Sequence, residues 1–276
     1  MKELTILALP IGNIKDLSLR AKEVLQNCQG VLAEDTRRFK DFLRMAEINS
    51  SAKILPFPSF TEQSVNLPQF LDSLTEEKWI LVSDAGTPGV SDPGSMLIKA
   101  ARMKNIRVEA VPGPSALTLA LQMTGGFGLP VVFAGFAPKK NKKEFFSQLE
   151  MSKTFIYFDS KHDVLSTLEY LCEQKKGQKR LVVLRELTKT HEEILDSTVQ
   201  ELLEEFQKRF AGNQPLGELT FMLEGEGKEA QMAVSTDDLL ALRNNSASQA
   251  AKVLAKLSGI SREEAYDLLE STKKPC

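Results

Sequence analysis

The chain has few of the side chains that build metal and disulfide sites. Its three cysteines, Cys28, Cys172 and Cys276, are far apart and form no C-x-x-C, and His162 and His191 do not complete a zinc ligand set with them. A disulfide framework and a structural zinc are thereby excluded, no metal site is expected, and a reduced interior fits. Long apolar runs are missing as well. Only the short run Leu4–Leu9 precedes Pro10, too little for a signal h-region, and no other segment approaches the roughly 20 apolar residues of a membrane helix. A cytoplasmic protein that does not enter membranes is expected. A strong charge of either sign is absent too. The net charge of −2 provides no global attraction for nucleic acid, so a polyanion must be met by local basic patches. There is no internal repeat and no low-complexity tract.

What is present is an ordinary globular composition, 42% hydrophobic and 26% charged, which predicts a folded chain. At 276 residues a single core stops growing, so two main domains are expected. Short apolar runs alternate with helix-period segments, the pattern of βα units in a largely parallel sheet. Strands are predicted at Leu4–Leu9, Gly30–Ala33, Lys53–Pro56, Trp79–Ser83 and Ile106–Val111. Helices are predicted at Leu17–Gln26, Arg37–Met45, Val65–Leu74, Pro93–Met103 and Pro114–Met123, giving a first α/β domain over 1–124. The glycine- and proline-rich stretch 124–130 reads as a linker. A second α/β domain, 125–235, follows, with strands at Val131–Gly135, Thr154–Phe158, Leu181–Arg185, Leu219–Leu223 and Gln231–Val234. Its helices fall near Lys142–Glu150, Val164–Cys172 and Val199–Phe210. Residues 236–276 read as a helical tail, Ser248–Leu257 and Arg262–Glu270, with Gly259 at a C′ position and Ser261 with Glu264 as a capping box.

Three strand-end loops carry the chemistry. The segment "SDAGTPGVSDPG", residues 83–94, follows a strand and leads into a helix, with Asp92 as expected N-cap and Pro93 at N1. "LPIGN" (9–13) and "VPGPSA" (111–116) share its proline-plus-glycine character. Ligands of open α/β sheets bind at such carboxyl ends. Glycine lets a ligand approach the backbone and proline holds the loop in shape beforehand. The 83–94 loop matches neither G-x-G-x-x-G nor G-x-x-x-x-G-K-[ST], and Asp84 and Asp92 would repel phosphate, so a cationic or zwitterionic ligand fits better.

"LPIGN", "AEDTR", "SDAGTPGVSDPG", "VPGPSAL", "GFAPKK" and "RELTKTHEE", in this order and spacing, resemble the tetrapyrrole methylase superfamily of S-adenosylmethionine-dependent methyltransferases. Within it they resemble the bacterial branch that methylates a ribose 2′-oxygen of a decoding-centre cytidine in small-subunit ribosomal RNA. The resemblance implies two α/β domains with the cofactor in the cleft between them, a small helical hairpin at the carboxyl end, and a homodimer. It implies cofactor contacts at Leu9, Pro10 and Ile11, at Asp84, Ala85, Gly86 and Thr87 with Ser91, and at Ser115 and Ala116. From the second domain it adds Tyr157, Arg185 and Leu187.

Methyl transfer to a hydroxyl depends on alignment, and a base or a lysine beside the oxygen helps further. The candidates lie in the string Glu34-Asp35-Thr36-Arg37, Asp35 and Arg37 foremost, and in "RELTKTHEE", where they are Glu186 and Lys189; Asp35 is equally suited to capping a helix, and both histidines read as ordinary surface residues. Contacts to RNA phosphate are expected from Lys139, Lys140, Lys142 and Lys143 and from Lys252 and Lys256, with solvated charge as the plain alternative. The chain departs from the resembled branch in one place that matters. Where that branch carries His-Glu-His-Asn-Glu, this sequence reads Pro58-Ser59-Phe60-Thr61-Glu62, and Leu9 and Ala33 replace a usual threonine and cysteine. Two further readings therefore stand beside the ribosomal one: a methyltransferase acting on a tetrapyrrole or other small molecule, and a catalytically silent RNA- or ribosome-binding homologue.

Overall fold

In the computed structural model the described residues are 1–125, 127, 130–149, 153–212, 217–225, 248, 250–252, 255 and 261–271. Contacts gather the chain into two compact units. One contains residues 1–126, 132–149 and 155–223; the other contains 127–131, 150–154 and 224–276.

The first unit begins with βα alternation: β1 (Glu3–Leu7), α1 (Leu19–Asn27), β2 (Gly30–Ala33), α2 (Thr36–Met45), β3 (Lys53–Pro56), α3 (Ser59–Ser64), α4 (Leu67–Ser73), β4 (Lys78–Val82), α5 (Ser95–Met103), β5 (Arg107–Val111) and α6 (Ala116–Thr124). The five strands form one sheet in the order β3-β2-β4-β1-β5, and the described pairings are parallel. Both faces of the central strands are covered, so β2 and β4 read as continuous apolar runs rather than alternating ones. In β4, Ile80 and Val82 join one buried cluster with Phe39, Phe42 and Leu25, while Trp79 and Leu81 join another with Phe57, Leu71 and Leu97.

The second sheet contains β6 (Val131–Phe136), β7 (Thr154–Asp159), β8 (Arg180–Arg185), β9 (Glu193–Thr198) and β10 (Leu219–Leu223), in the order β6-β7-β10-β8-β9. Around it lie α7 (Lys142–Gln148), α8 (Val164–Glu173) and α9 (Val199–Ala211). Its centre is dry: every residue of β10 is buried, and Tyr157 stacks on Phe221 at 5.1 Å.

Four features differ from expectation. The largely parallel pattern stops at the first sheet, because β10 pairs antiparallel with β7 and β8, and β8 with β9. β9 itself was not predicted; it is an edge strand, "EILDST", with no apolar run to reveal it. The expected helix 65–74 begins instead at Leu67, where Asn66 accepts the Gln69 amide at 3.2 Å and Pro68 sits in the first turn. Asp92 and Pro93 do not start α5; its N-cap is Gly94, at φ +132°. The predicted strand Gln231–Val234 lies outside the described residues. In the second unit the tail shows helical backbone at 248, 250–252 and 255, then the helix Arg262–Ser271, with Ala251 and Ala265 buried. Gly259 and the Glu264 side chain of the expected capping box fall outside the description.

Candidate active site

The three strand-end loops come from β1, β4 and β5, which are neighbours in the sheet, and the backbone laces them together. Leu9 and Gly86 exchange N–H···O bonds of 2.9 and 3.0 Å, and the Thr87 hydroxyl donates to the Pro114 carbonyl at 3.2 Å. Gly86 sits at φ +71°, in the left-handed region that side chains avoid. Gly12 serves a different purpose: a Cβ there would collide with Lys189, and its neighbour Asn13 donates its amide to the Thr188 hydroxyl at 3.1 Å. The first loop therefore rests directly against the turn that follows β8.

These loops line a cavity of about 1140 Å³. Pro10, Ile11, every residue from Asp84 to Thr87, Ser91, Ser115, Ala116 and Leu187 all face it. The Ser91 hydroxyl is buried without a hydrogen-bond partner among the described residues. Leu9 takes part only through its backbone bridge, its side chain being core. Two expected cofactor contacts lie elsewhere. Tyr157 is fully buried in the second sheet, where burial pushes its phenol well above the usual range, and it is Phe158 and Asp159 that reach the cavity. Arg185 turns to Glu193 at 2.9 Å.

The floor is acidic. Asp84 donates its amide to Glu34 at 3.3 Å, accepts the Asp35 amide at 3.1 Å and pairs with Arg38 at 2.9 Å. Burial is the main force raising the Glu34 carboxyl above its usual range, with Asp92 and Asp84 adding to it. Asp92 is raised in the same way, first by burial and then by Asp84, against a hydrogen bond from Ser83. On this floor Glu34, Asp84 and Asp92 thus face the cavity beside the Arg38 guanidinium, and Asp41 lines it as well. Asp35 and Arg37 do not line it. Asp35 caps α2, accepting the Arg37 and Arg38 amides at 2.8 and 3.3 Å, and these bonds, the Arg37 amide first, hold its carboxyl below the usual range. The Arg37 side chain is 89% exposed.

The cavity is also lined by Glu186 and Lys189. Lys189 donates to Glu186 and to Glu218, each at 2.9 Å, and Glu186 also accepts the Glu218 amide at 2.8 Å. Burial works against both charges, yet these bonds outweigh it. Glu186 is held below its usual range and Lys189 above its own.

Of the string Glu34–Arg37 it is Glu34 that lines the cavity, and several other cavity residues were not among the candidates: Arg38, Phe136, Phe158, Lys161 and Glu218. His162, expected as a plain surface residue, also lines the wall while remaining exposed. Residues 58–62, which stand where the resembled branch has its histidine string, do not line it. Glu62 has another task. Its carboxylate, 8% exposed, accepts the amides of Gly94 at 3.1 Å, Met96 at 2.7 Å and Leu97 at 3.0 Å, pinning the exit of the 83–94 loop.

Of the lysines expected to meet RNA, Lys139, Lys140, Lys143 and Lys252 are exposed. Lys142 is not free for it. Its ammonium donates to the Asp163 carbonyl at 2.9 Å and to the Thr167 hydroxyl, and burial lowers its pKa. Lys256 lies outside the described residues. Among the described residues no cluster of His, Cys, Asp and Glu is placed to hold a metal ion, and no helix is long and apolar enough to cross a membrane.

Residues 3–203 match the family model described as Tetrapyrrole (Corrin/Porphyrin) Methylases. The chain is 36% identical over 231 residues to "Ribosomal RNA small subunit methyltransferase I" of Thermotoga maritima, covering 82% of this chain and 100% of that one. With the protein of the same name from Xylella fastidiosa it is 34% identical over 269 residues, covering 95% and 97%. A solved structure of uroporphyrin-III C-methyltransferase from Thermus thermophilus, complexed with S-adenyl homocysteine, shares the fold with a TM-score of 0.52 at 14% identity, over 80% of this chain and 92% of that one.

Proposed function

Because the chain belongs to the tetrapyrrole (corrin/porphyrin) methylase family, we propose that it transfers a methyl group from S-adenosylmethionine to a ribose 2′-oxygen of a cytidine in small-subunit ribosomal RNA. The relatives named for that class of substrate support this over a tetrapyrrole substrate, since they match over most of both chains. The same relatives favour an active enzyme over a silent homologue. We further propose action in the cytoplasm as a homodimer, with domains divided at 1–124, 125–235 and 236–276.

The observation that carries the reading is the set of laced loops over an acidic floor. The cofactor is cationic at sulfur and ends in an amino acid. Glu34, Asp84 and Asp92 answer the charge, and the bridged backbones of Leu9–Ile11 and Asp84–Thr87 stand ready for its polar edges. Ser91, buried and unpartnered, holds a hydroxyl ready for it. When bound, the cofactor supplies an electrophilic methyl group.

The roles of Glu186 and Lys189 follow from their charge states. A lysine held above its usual pKa stays an ammonium, so it does not remove a proton; as the 2′-hydroxyl gives its proton to solvent, the ammonium steadies the alkoxide left on the ribose oxygen, which takes the methyl group while the sulfur departs neutral. Glu186, held below its usual pKa, remains a carboxylate and aims that ammonium. Asp35 and Arg37 have no place at the reacting atoms and serve the start of α2.

The test is transfer of tritiated methyl from adenosylmethionine to small ribosomal subunits from a strain lacking this gene, followed by nucleoside analysis. Label in 2′-O-methylcytidine supports the reading; label only in an added porphyrinoid contradicts it.

A further inference from the structure

We propose that Phe136 is a stacking platform for an unpaired base of the RNA substrate, an inference that rests on the reading above and names how that substrate is gripped. Phe136 closes β6 at the cavity and is 58% exposed, a costly place for a phenyl ring without a partner. Its position is built into the backbone. Residues three apart on a strand normally point to opposite faces, yet Phe133 and Phe136 both meet the ring of Phe158, at 5.1 and 5.2 Å with interplanar angles of 62° and 65°. Gly135, at φ +73°, breaks the alternation. A Cβ on Gly135 would meet nothing within 4 Å, so packing does not demand glycine there; the backbone turn that re-aims Phe136 does. The tilted contact with Phe158 then holds the Phe136 ring in place while more than half of it stays exposed to a ligand.

The surroundings indicate which ligand. Lys139, Lys140 and Lys143 follow in sequence, Lys161 lines the cavity beyond, and all four are exposed without a hydrogen-bond or ion-pair partner among the described residues. An aromatic face among free cations is the arrangement that holds single-stranded nucleic acid, bases on the ring and phosphates on the lysines. The cavity, about 1140 Å³, exceeds the roughly 300–1,000 Å³ of a typical small-ligand pocket, leaving room for a nucleoside beside the cofactor. A ribose hydroxyl reaches such a site only when its nucleotide is unstacked, which exposes a base face for Phe136.

The test is binding of a short single-stranded oligocytidylate to the full chain without cofactor, followed by fluorescence anisotropy. Phe136→Ala should weaken binding about tenfold and Phe136→Tyr should restore it to within about threefold. Gly135→Ala, which keeps the phenyl ring but loses its aim, should weaken binding too, and adenosylmethionine affinity should stay unchanged in all three. Unchanged oligonucleotide affinity in Phe136→Ala overturns the proposal. So does a shift from dimer to monomer in that variant with RNA affinity intact, which would make the ring a contact with a second copy. Wild-type protein that binds the oligonucleotide through Phe136 but no adenosylmethionine sinks the methyl-transfer reading alone.

Discussion

Gly86 shows how much rests on one backbone angle. It bridges to Leu9 while holding φ +71°, and a Cβ would stand 3.3 Å from Ile11 Cγ2. A β-branched residue resists that region by at least about 1–2 kcal/mol and would fill the space between two cavity loops. Gly86→Val is therefore expected to raise the adenosylmethionine Kd at least about tenfold in calorimetry, with the protein still folded by circular dichroism. Unchanged affinity would remove the loop from the site. Lys189 makes a separate demand. If its ammonium steadies charge only as the reaction proceeds, Lys189→Met lowers kcat about 10²-fold and leaves cofactor affinity within about twofold. A rise in KM with kcat intact would make it a binding group instead.

At the scale of elements, Glu62 couples α3 to α5 across the fold. Three amides at the start of α5 converge on its carboxylate, so Glu62→Gln leaves at least one facing a donor and should cost about 1–3 kcal/mol in urea unfolding. Since those amides end the 83–94 loop, the variant should also weaken cofactor binding; a stability loss without that change would limit Glu62 to capping. The second sheet has its own fastener. Glu193 on β9 accepts from Arg185 on β8 at 2.9 Å and from Arg209 on α9 at 2.7 and 2.8 Å, with Arg209 the main cause of its carboxyl falling from 4.5 to about 2. A depressed carboxylate stabilises fully above its unfolded pKa and loses that contribution as pH falls through the folded one. Urea midpoints of the wild type should therefore drop more than those of Glu193→Gln between pH 5 and pH 2. Equal drops would show that the network carries no net stability.

At the scale of the whole molecule, what could be read in advance was what is local. Glycine, proline and capping residues announce their own turns, so the three loops and most elements of the first sheet were visible within a residue or two. Features set by distant partners were not. Nothing near Asp92 reveals that Glu62, remote in sequence, takes over the start of α5, and nothing in "EILDST" reveals an edge strand until β8 is beside it. Errors of one position were costly where side chains alternate: Tyr157 was expected at the cavity, and Phe158 and Asp159 are there.

The most direct measurement of the account is a calorimetric titration of the intact chain with S-adenosylmethionine, repeated with Asp84→Asn. Saturable binding at one site per chain, weakened in the variant, is the predicted result. Absence of heat together with absence of a thermal shift in the folded wild-type protein would contradict the claim that these strand ends enclose a methyl donor.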